Sequence, residues 1–257
     1  MFDVTATIVF HHEYAYAIPA LASMRDLVES ARQTGLKVEA RAILDRPDDR
    51  TLRLVRERGA WLDGCESVDF GDLGLTRNAG VRLAKGDYLA FLDGDDLWGA
   101  DWIKLAHRAA VVSADPNGTI WHPEMLYYFH ESDFDSHSMT SIPHPAARSF
   151  HFFHGSSEEA PFDDRLLFIN NVWSANVFAH RSVYERYPYE AVNKQTGFGV
   201  EDWSWNLQTI SQGLRHLVVS DTVHLIRVKQ QGSLGQQNMA EGLLPHLRDD
   251  VRPSLGI

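Results

Sequence analysis

The stretch Asp87-Tyr88-Leu89-Ala90-Phe91-Leu92-Asp93-Gly94-Asp95-Asp96 decides the fold of this chain: an apolar run that begins after Gly86 and ends in carboxylates around Gly94. Its length and near-continuous apolarity predict a strand buried on both faces, of the kind that lies in a sheet covered by helices. The acids then stand at the strand's carboxyl end, where open α/β sheets place their ligands. With an extended backbone, Asp93 and Asp95 project to one side, and Gly94 permits a tight bend between them. Two hard oxygen donors so placed suit a magnesium or manganese ion that also holds phosphate oxygens. Solvation of a turn is the plainer use of such acids. A helix-loop-helix calcium loop is excluded, because Leu97, Trp98 and Lys104 fall where that loop needs an oxygen ligand, a glycine and a glutamate.

Composition narrows the function classes. A chain of 257 residues with 44% apolar and 23% charged residues is ordinary for a soluble globular protein and long enough for one large α/β domain. With 24 basic against 35 acidic residues the formal charge is −11. That balance argues against a nucleic-acid partner, which demands clustered Lys and Arg. Cys65 is the only cysteine, so a disulfide framework and a thiolate zinc site are excluded and a cytoplasmic setting fits. The first residues carry no basic region ahead of an apolar one and do not read as a signal peptide. No apolar stretch approaches the roughly 20 residues that span a bilayer. The expectation is a protein in the cytoplasm, or one held peripherally at the inner face of the cytoplasmic membrane.

Around the opening strand, helix and strand patterns alternate. Val4 to Phe10 reads as a first strand ending at His11-His12-Glu13, and Ile18 to Thr34 as a helix stopped by Gly35. Val38 to Leu44 is a second strand closing on Asp45, Thr51 to Trp61 a helix, and Ser67 to Phe70 a short strand. Gly74 to Ala84 leads into a helix through Arg77-Asn78, Asp101 to Ala114 is another, and Thr119 to Phe129 a further strand. This alternation implies a largely parallel sheet. From Glu131 to Pro161 no period survives, which marks a long loop. His130, His137, His144, His151 and His154 lie in or beside it without chelate spacing and read as loop surface. Leu166 to His180 reads as strands offering polar side chains to a cleft, and Arg181 to Tyr187 as a short helix. Gly197-Phe198-Gly199-Val200-Glu201-Asp202-Trp203 leads two acids into a helix start, where the dipole favours them. Two strand-like runs follow around Asp221, and a helix is expected from Gln236 to Leu247.

Together, Asp45, the Arg77-Asn78 turn, the Asp93-Gly94-Asp95-Asp96 strand end and the later Glu201-Asp202 resemble a family 2 glycosyltransferase of the GT-A fold, in order and spacing, over about residues 4 to 228. The resemblance implies one domain over 1–257: a nucleotide-sugar-binding part at 1–129, an acceptor-side part at 130–229 and a helical tail at 230–257. It places His11, Glu13 and Asp45 near the nucleoside, and Arg77-Asn78 at the turn closing over the nucleotide. Asp93 becomes the acid at ribose or metal, and Asp95 the acid that binds Mn2+ or Mg2+. His224 matches a third metal ligand of some relatives, or else a satisfied core histidine. Asp202 is implied as catalytic base and Glu201 as a ligand of the acceptor hydroxyl, although spacing does not rank the two. Trp203 is a candidate sugar platform, and Arg227 and Lys229 could meet the diphosphate. The chain departs from the family after its first strand, where Phe10-His11-His12-Glu13 replaces a Pro-Thr-Tyr-like sequence.

The implied activity is inverting, metal-dependent transfer from a nucleotide sugar, a UDP-sugar foremost, to a glycan or lipid-linked acceptor in bacterial surface polysaccharide synthesis. Two rivals stand beside it. A sugar-nucleotide nucleotidyltransferase would want a Gly-rich, basic first turn, which His11-His12-Glu13-Tyr14 lacks. A non-catalytic carbohydrate-binding protein of the same fold would have no need of Asp93, Asp95 and Asp202 together.

Overall fold

The computed structural model describes residues 1–130, 149–193, 200–229 and 241–245. Among these, strands and helices alternate: β1 (Phe2–Phe10), α1 (Ala17–Gln33), β2 (Val38–Asp45), α2 (Asp49–Arg58), β3 (Gly64–Val68), α3 (Leu73–Leu83) and β4 (Gly86–Asp93). The short β5 (Leu97–Trp98), α4 (Trp102–Val111) and the long β6 (Thr119–His130) follow. Then come β7 (Phe150–Phe153), β8 (Phe178–His180), α5 (Arg181–Arg186), α6 (Glu201–Ser211) and β9 (Arg215–Val228).

One mixed sheet orders these strands β3-β2-β1-β4-β8-β6-β9-β5, with β7 added to β6. β1 lies between β2 and β4 and is parallel to both, Val9 standing opposite Ile43 on one side and Asp93 on the other. The carboxyl ends of β1, β2 and β4 therefore open on one edge. β8 runs antiparallel between β4 and β6, while β9 is parallel to β6.

The strand period of two sorts the side chains of β4. Tyr88, Ala90 and Leu92 enter the core built with α1 and α4. Leu89 and Phe91 enter a second core with α3, α5 and α6, whose members include Val81, Tyr184 and Trp205. Asp93 continues the second set, so it emerges on the face carrying α3 and α6. Asp48 and Asp72 begin α2 and α3, each accepting backbone N–H bonds of the first turn.

Four expectations change. The strand expected at Ser67 to Phe70 lies instead at Gly64–Val68, and beyond it the N–H groups of Phe70, Gly71 and Asp72 are used by the Asp45 carboxylate. Leu166 to His180 is a 3₁₀ turn at Asp164–Phe168 and irregular chain up to β8, where a longer run of strand was expected. The indole of Trp173 in that stretch donates to Gly155 O. The two runs around Asp221 are one strand: Asp221 takes φ 62, and the register against β6 shifts between Pro123 and Met125. Residues 241–245 form a turn and a single bridge where a helix was expected, and the rest of that helix lies outside the described residues.

The loop histidines also divide. His151 is exposed, but His130 and His154 are buried. His154 receives its place from Pro123 O, 2.6 Å from Nδ1, and from the Ser174 N–H, which donates to Nε2. His137 and His144 lie outside the described residues. No described helix is long and apolar enough to cross a membrane.

Candidate functional site

The opening acids do not remain extended. Asp96 N–H donates to Asp93 O at 3.1 Å, closing a turn over Asp93–Asp96. Gly94 is required there because a Cβ would come 2.7 Å from Val9 O. The turn sends the three carboxylates to different partners, so Asp93 and Asp95 do not share the side expected of an extended pair.

Asp93 accepts from Arg77 Nη2 at 2.7 Å, and the same guanidinium donates through Nη1 to Glu201 Oε1 at 2.8 Å. Arg77 is buried on α3, Glu201 is buried at the start of α6, and Asp93 is one-third exposed. Burial opposes the guanidinium charge, but Asp93 and Glu201 outweigh it and push its pKa up. A single buried cation thus ties the end of β4 to the start of α6, 124 residues apart between Arg77 and Glu201. Asn78, next to it, does not turn toward the cleft: its Nδ2 donates to Tyr189 O and its Oδ1 accepts from Tyr189 N–H.

Asp95 meets Lys229 Nζ at 2.5 Å, both about four-fifths buried. Asp96 is buried deeper. Its Oδ2 lies 3.1 Å from His224 Nε2, and its Oδ1 accepts the Arg227 N–H at 2.8 Å. Burial, with Asp95 and Asp93 nearby, raises Asp96 to about 6 despite His224. His224 Nδ1 lies 3.3 Å from Ser174 Oγ, so both ring nitrogens are engaged. The Arg227 side chain donates to Asp95 O and lies over the rings of Tyr16 and Phe129. Glu13, at the end of β1, accepts from His11 N–H, and burial followed by the charge of Asp95 raises it to about 7. His11 stacks on His12 at 3.8 Å between ring centroids and reaches Asp45 O through Nδ1.

Asp45 differs from these acids. Its two oxygens accept from the N–H groups of Phe70, Gly71 and Asp72 and from Thr76 Oγ1, at 2.8 to 3.0 Å. Burial alone would raise its pKa, but these bonds prevail and hold it below the usual value.

At the start of α6, Asp202 accepts from Asn171 Nδ2 at 3.0 Å and from Trp203 N–H at 2.8 Å. Burial raises both acids: Glu201 reaches about 7, with Asp202 as its second cause, and Arg77 opposes the rise in each. Trp203 offers no free platform, since its indole N–H bonds Leu167 O and its ring packs against the Leu167, Trp173 and Leu207 cluster. Asn171, Ser174 and Tyr128 belong to this neighbourhood without having been singled out. The polar run 170–176 carried the signal for the first two, and the phenol of Tyr128 lies within the fields of Asp96 and Asp202.

Asp93, Asp95, Asp96, Arg77 and Glu13 lie in or beside the region that matches the model described as Glycosyl transferase family 2, which spans residues 5–116. The match covers β1 to α4 and stops before Asp202, His224 and Lys229. No curated protein matches the sequence significantly. Among solved structures, S. aureus TarS 1–349 in complex with UDP-GlcNAc is 15% identical with a TM-score of 0.60, covering 91% of this chain and 60% of that one. TarS 1–349 in complex with UDP is 16% identical, with a TM-score of 0.59 and coverages of 89% and 61%. The chain thus spans about three-fifths of the TarS 1–349 structures it matches, and the shared architecture is the GT-A fold. Here the region that matches the family model supplies the strand-end acids, and the chain beyond it supplies Glu201, His224 and Lys229, which meet Arg77, Asp96 and Asp95.

A divalent cation would find few protein ligands here. Among the described residues no three His, Cys, Asp or Glu side chains converge to hold one. Carboxylates nevertheless gather here: Glu13 and Asp96 are raised by burial first, and the charge of Asp95 adds to both rises. This combination fits a magnesium-like ion, which takes one or two carboxylates and completes its shell with substrate phosphates and water.

Proposed function

We propose that this chain is an inverting glycosyltransferase that moves a sugar from a nucleotide sugar, foremost a UDP-sugar, to a hydroxyl of a glycan or lipid-linked acceptor. The observation that carries the reading is the buried Arg77 bridge. It holds Asp93, on the side of the family 2 match, against Glu201, the immediate neighbour of Asp202. The TarS structures with UDP-GlcNAc and UDP support a nucleotide-sugar donor.

The work divides by charge. Asp95, with Asp93, would hold a manganese or magnesium ion, which when bound offsets the charge of the leaving diphosphate. Lys229, on the Asp95 carboxylate, and Arg227, on the Asp95 backbone carbonyl, present cations to the diphosphate once Lys229 releases Asp95. Glu13 and His11, at the end of β1, line the nucleoside side. Asp202 takes the proton from the acceptor hydroxyl as that oxygen attacks the anomeric carbon. Glu201 is less suited to that step, because its Oε1 is committed to Arg77. It is a positioning residue that orients Asp202 through α6. A single displacement inverts the anomeric centre. His224 holds Asp96 in place and would reach a cation only by giving up that contact. The reading includes action in the cytoplasm or at the inner face of the cytoplasmic membrane, in bacterial surface glycan synthesis.

The test is release of nucleoside diphosphate from a panel of nucleotide sugars in the presence of manganese. Asp202→Asn should lower turnover about 10²- to 10⁴-fold while UDP binding, followed by calorimetry, is retained. Full turnover in that variant sinks the assignment of the base. Formation of pyrophosphate would favour a nucleotidyltransferase instead.

A further inference from the structure

Beyond His224 the sheet continues into aromatic rings. In the register of the strands, His224 of β9 stands beside Leu126 of β6, and Leu126 beside Phe152 of β7. In the next row Ile226, Tyr128 and Phe150 align. Side chains of one row share a face of the sheet. The face that carries His224 toward Asp96 therefore also carries Tyr128, Phe150 and Phe152. At about 4.8 Å between strands, the β7 rings lie about 10 Å from the His224 row.

The rings form one surface. Tyr128 stacks on Phe150 with centroids 4.7 Å apart and planes 7° apart, and on Phe152 at 5.4 Å and 24°. Phe150 and Phe152 remain 51% and 43% exposed, whereas Leu126 between Phe152 and His224 is buried. Flat apolar faces on the side of the sheet that carries His224 toward Asp96 match a pyranose ring, which has apolar C–H faces and a rim of hydroxyls. The exposed parts of these rings amount to roughly 200 Å², well short of the ~800 Å² that each partner contributes to a stable protein interface. Trp203, the aromatic residue nearest Asp202 in sequence, is packed away and cannot serve.

We propose that Tyr128, Phe150 and Phe152 form an acceptor subsite that stacks a sugar ring of a glycan one or more units away from the hydroxyl facing Asp202. The role of Asp202 in that statement rests on the transferase reading, but the stacking does not need transfer to be observed. The probe is an array of immobilised oligosaccharides exposed to the whole chain, with and without UDP, alongside calorimetric UDP binding. The wild type should hold a subset of glycans. Phe150→Ala/Phe152→Ala should lose about tenfold or more in apparent affinity, the factor equivalent to ~1.4 kcal/mol. Phe150→Tyr should stay within about twofold, since the ring face is kept. Both variants should melt like the wild type and bind UDP equally well. Equal glycan binding by the double alanine variant overturns the subsite, as does a wild type that holds no glycan. A dimer that the double variant abolishes would overturn it too, by giving the rings to a second copy. Loss of UDP binding in the wild type would break the transferase reading while leaving the subsite to stand or fall on the array.

Discussion

Asp45 and Asp95 stand at the carboxyl ends of β2 and β4, the two strands that flank β1, on the same edge of the sheet, yet their surroundings are opposite. Asp45 is met on all sides by donors from its own fold: Phe70, Gly71 and Asp72 N–H and Thr76 Oγ1. Asp95 has a Lys229 ammonium and lies among Glu13, Asp93 and Asp96; Glu13 is raised to about 7 and Asp96 to about 6, by burial first and then by the charge of Asp95. An acid at a strand end is available to a ligand only where the backbone has not already satisfied it. Asp45 is a clamp on the loop before α3; the group around Asp95 is charge held in reserve.

The largest effect that would sharpen this contrast is at Asp45. Asp45→Ala should destabilise the fold by about 3–5 kcal/mol, because buried N–H donors lose a charged acceptor together. Chemical denaturation gives the number directly. A loss below about 1 kcal/mol would mean that water already shares the site, and the distinction between clamp and reserve would collapse.

The contrast also marks what could be read from residues alone. Strands such as Val4 to Phe10 and Tyr88 to Leu92 announce themselves because both faces are buried, and the helices between them because their apolar positions recur at helical spacing. The strand-end acids were equally visible. What each acid touches was not, because the partner arrives from elsewhere in the chain: Thr76 for Asp45, Lys229 for Asp95, His224 for Asp96, Asn171 for Asp202. Asn78 looked like a cleft residue but serves the backbone of Tyr189, 111 residues away. His154 read as surface because nothing local could satisfy it, whereas Pro123 O and Ser174 N–H do. Pairing at long range also explains the fate of Leu166 to His180. Its aromatic and branched residues suggest strands, but no neighbouring strand is offered before Phe178 meets β4 and β6.

A middle-sized effect is expected at Glu13, where the reserve carries a cost that depends on pH. Its folded value of about 7 exceeds the ordinary 4.5. Between those values the folded protein holds a proton that the unfolded chain has lost, so stability rises as pH falls from about 7 toward 4.5. Above about 7 the buried carboxylate destabilises the fold in full. Glu13→Gln keeps an acceptor for His11 N–H and removes the charge. It should stabilise by about 1–2 kcal/mol at about pH 8, after allowance for partial solvent access, and the gain should vanish by about pH 4.5. Thermal melting of both proteins across that range checks the sign. A gain that persists at low pH would trace to packing and would remove Glu13 from the charged group.

The smallest effect on stability, and the most informative about the site, belongs to Asp95. Removing it deprives Lys229 of a partner, which destabilises, and relieves the repulsion felt by Glu13 and Asp96, which stabilises. The two terms oppose, so Asp95→Ala should change folding stability by less than about 1 kcal/mol. The same substitution should abolish the strengthening of UDP binding by manganese, since Asp96 is turned to His224 and the Arg227 N–H and Asp93, with one oxygen on Arg77, is left as a lone ligand. Calorimetry of UDP with and without manganese reads the second part independently of the first. If Asp95→Ala melts several degrees lower and still binds UDP more tightly with manganese, then Asp95 is a clamp like Asp45, and the cation is held elsewhere on this edge of the sheet.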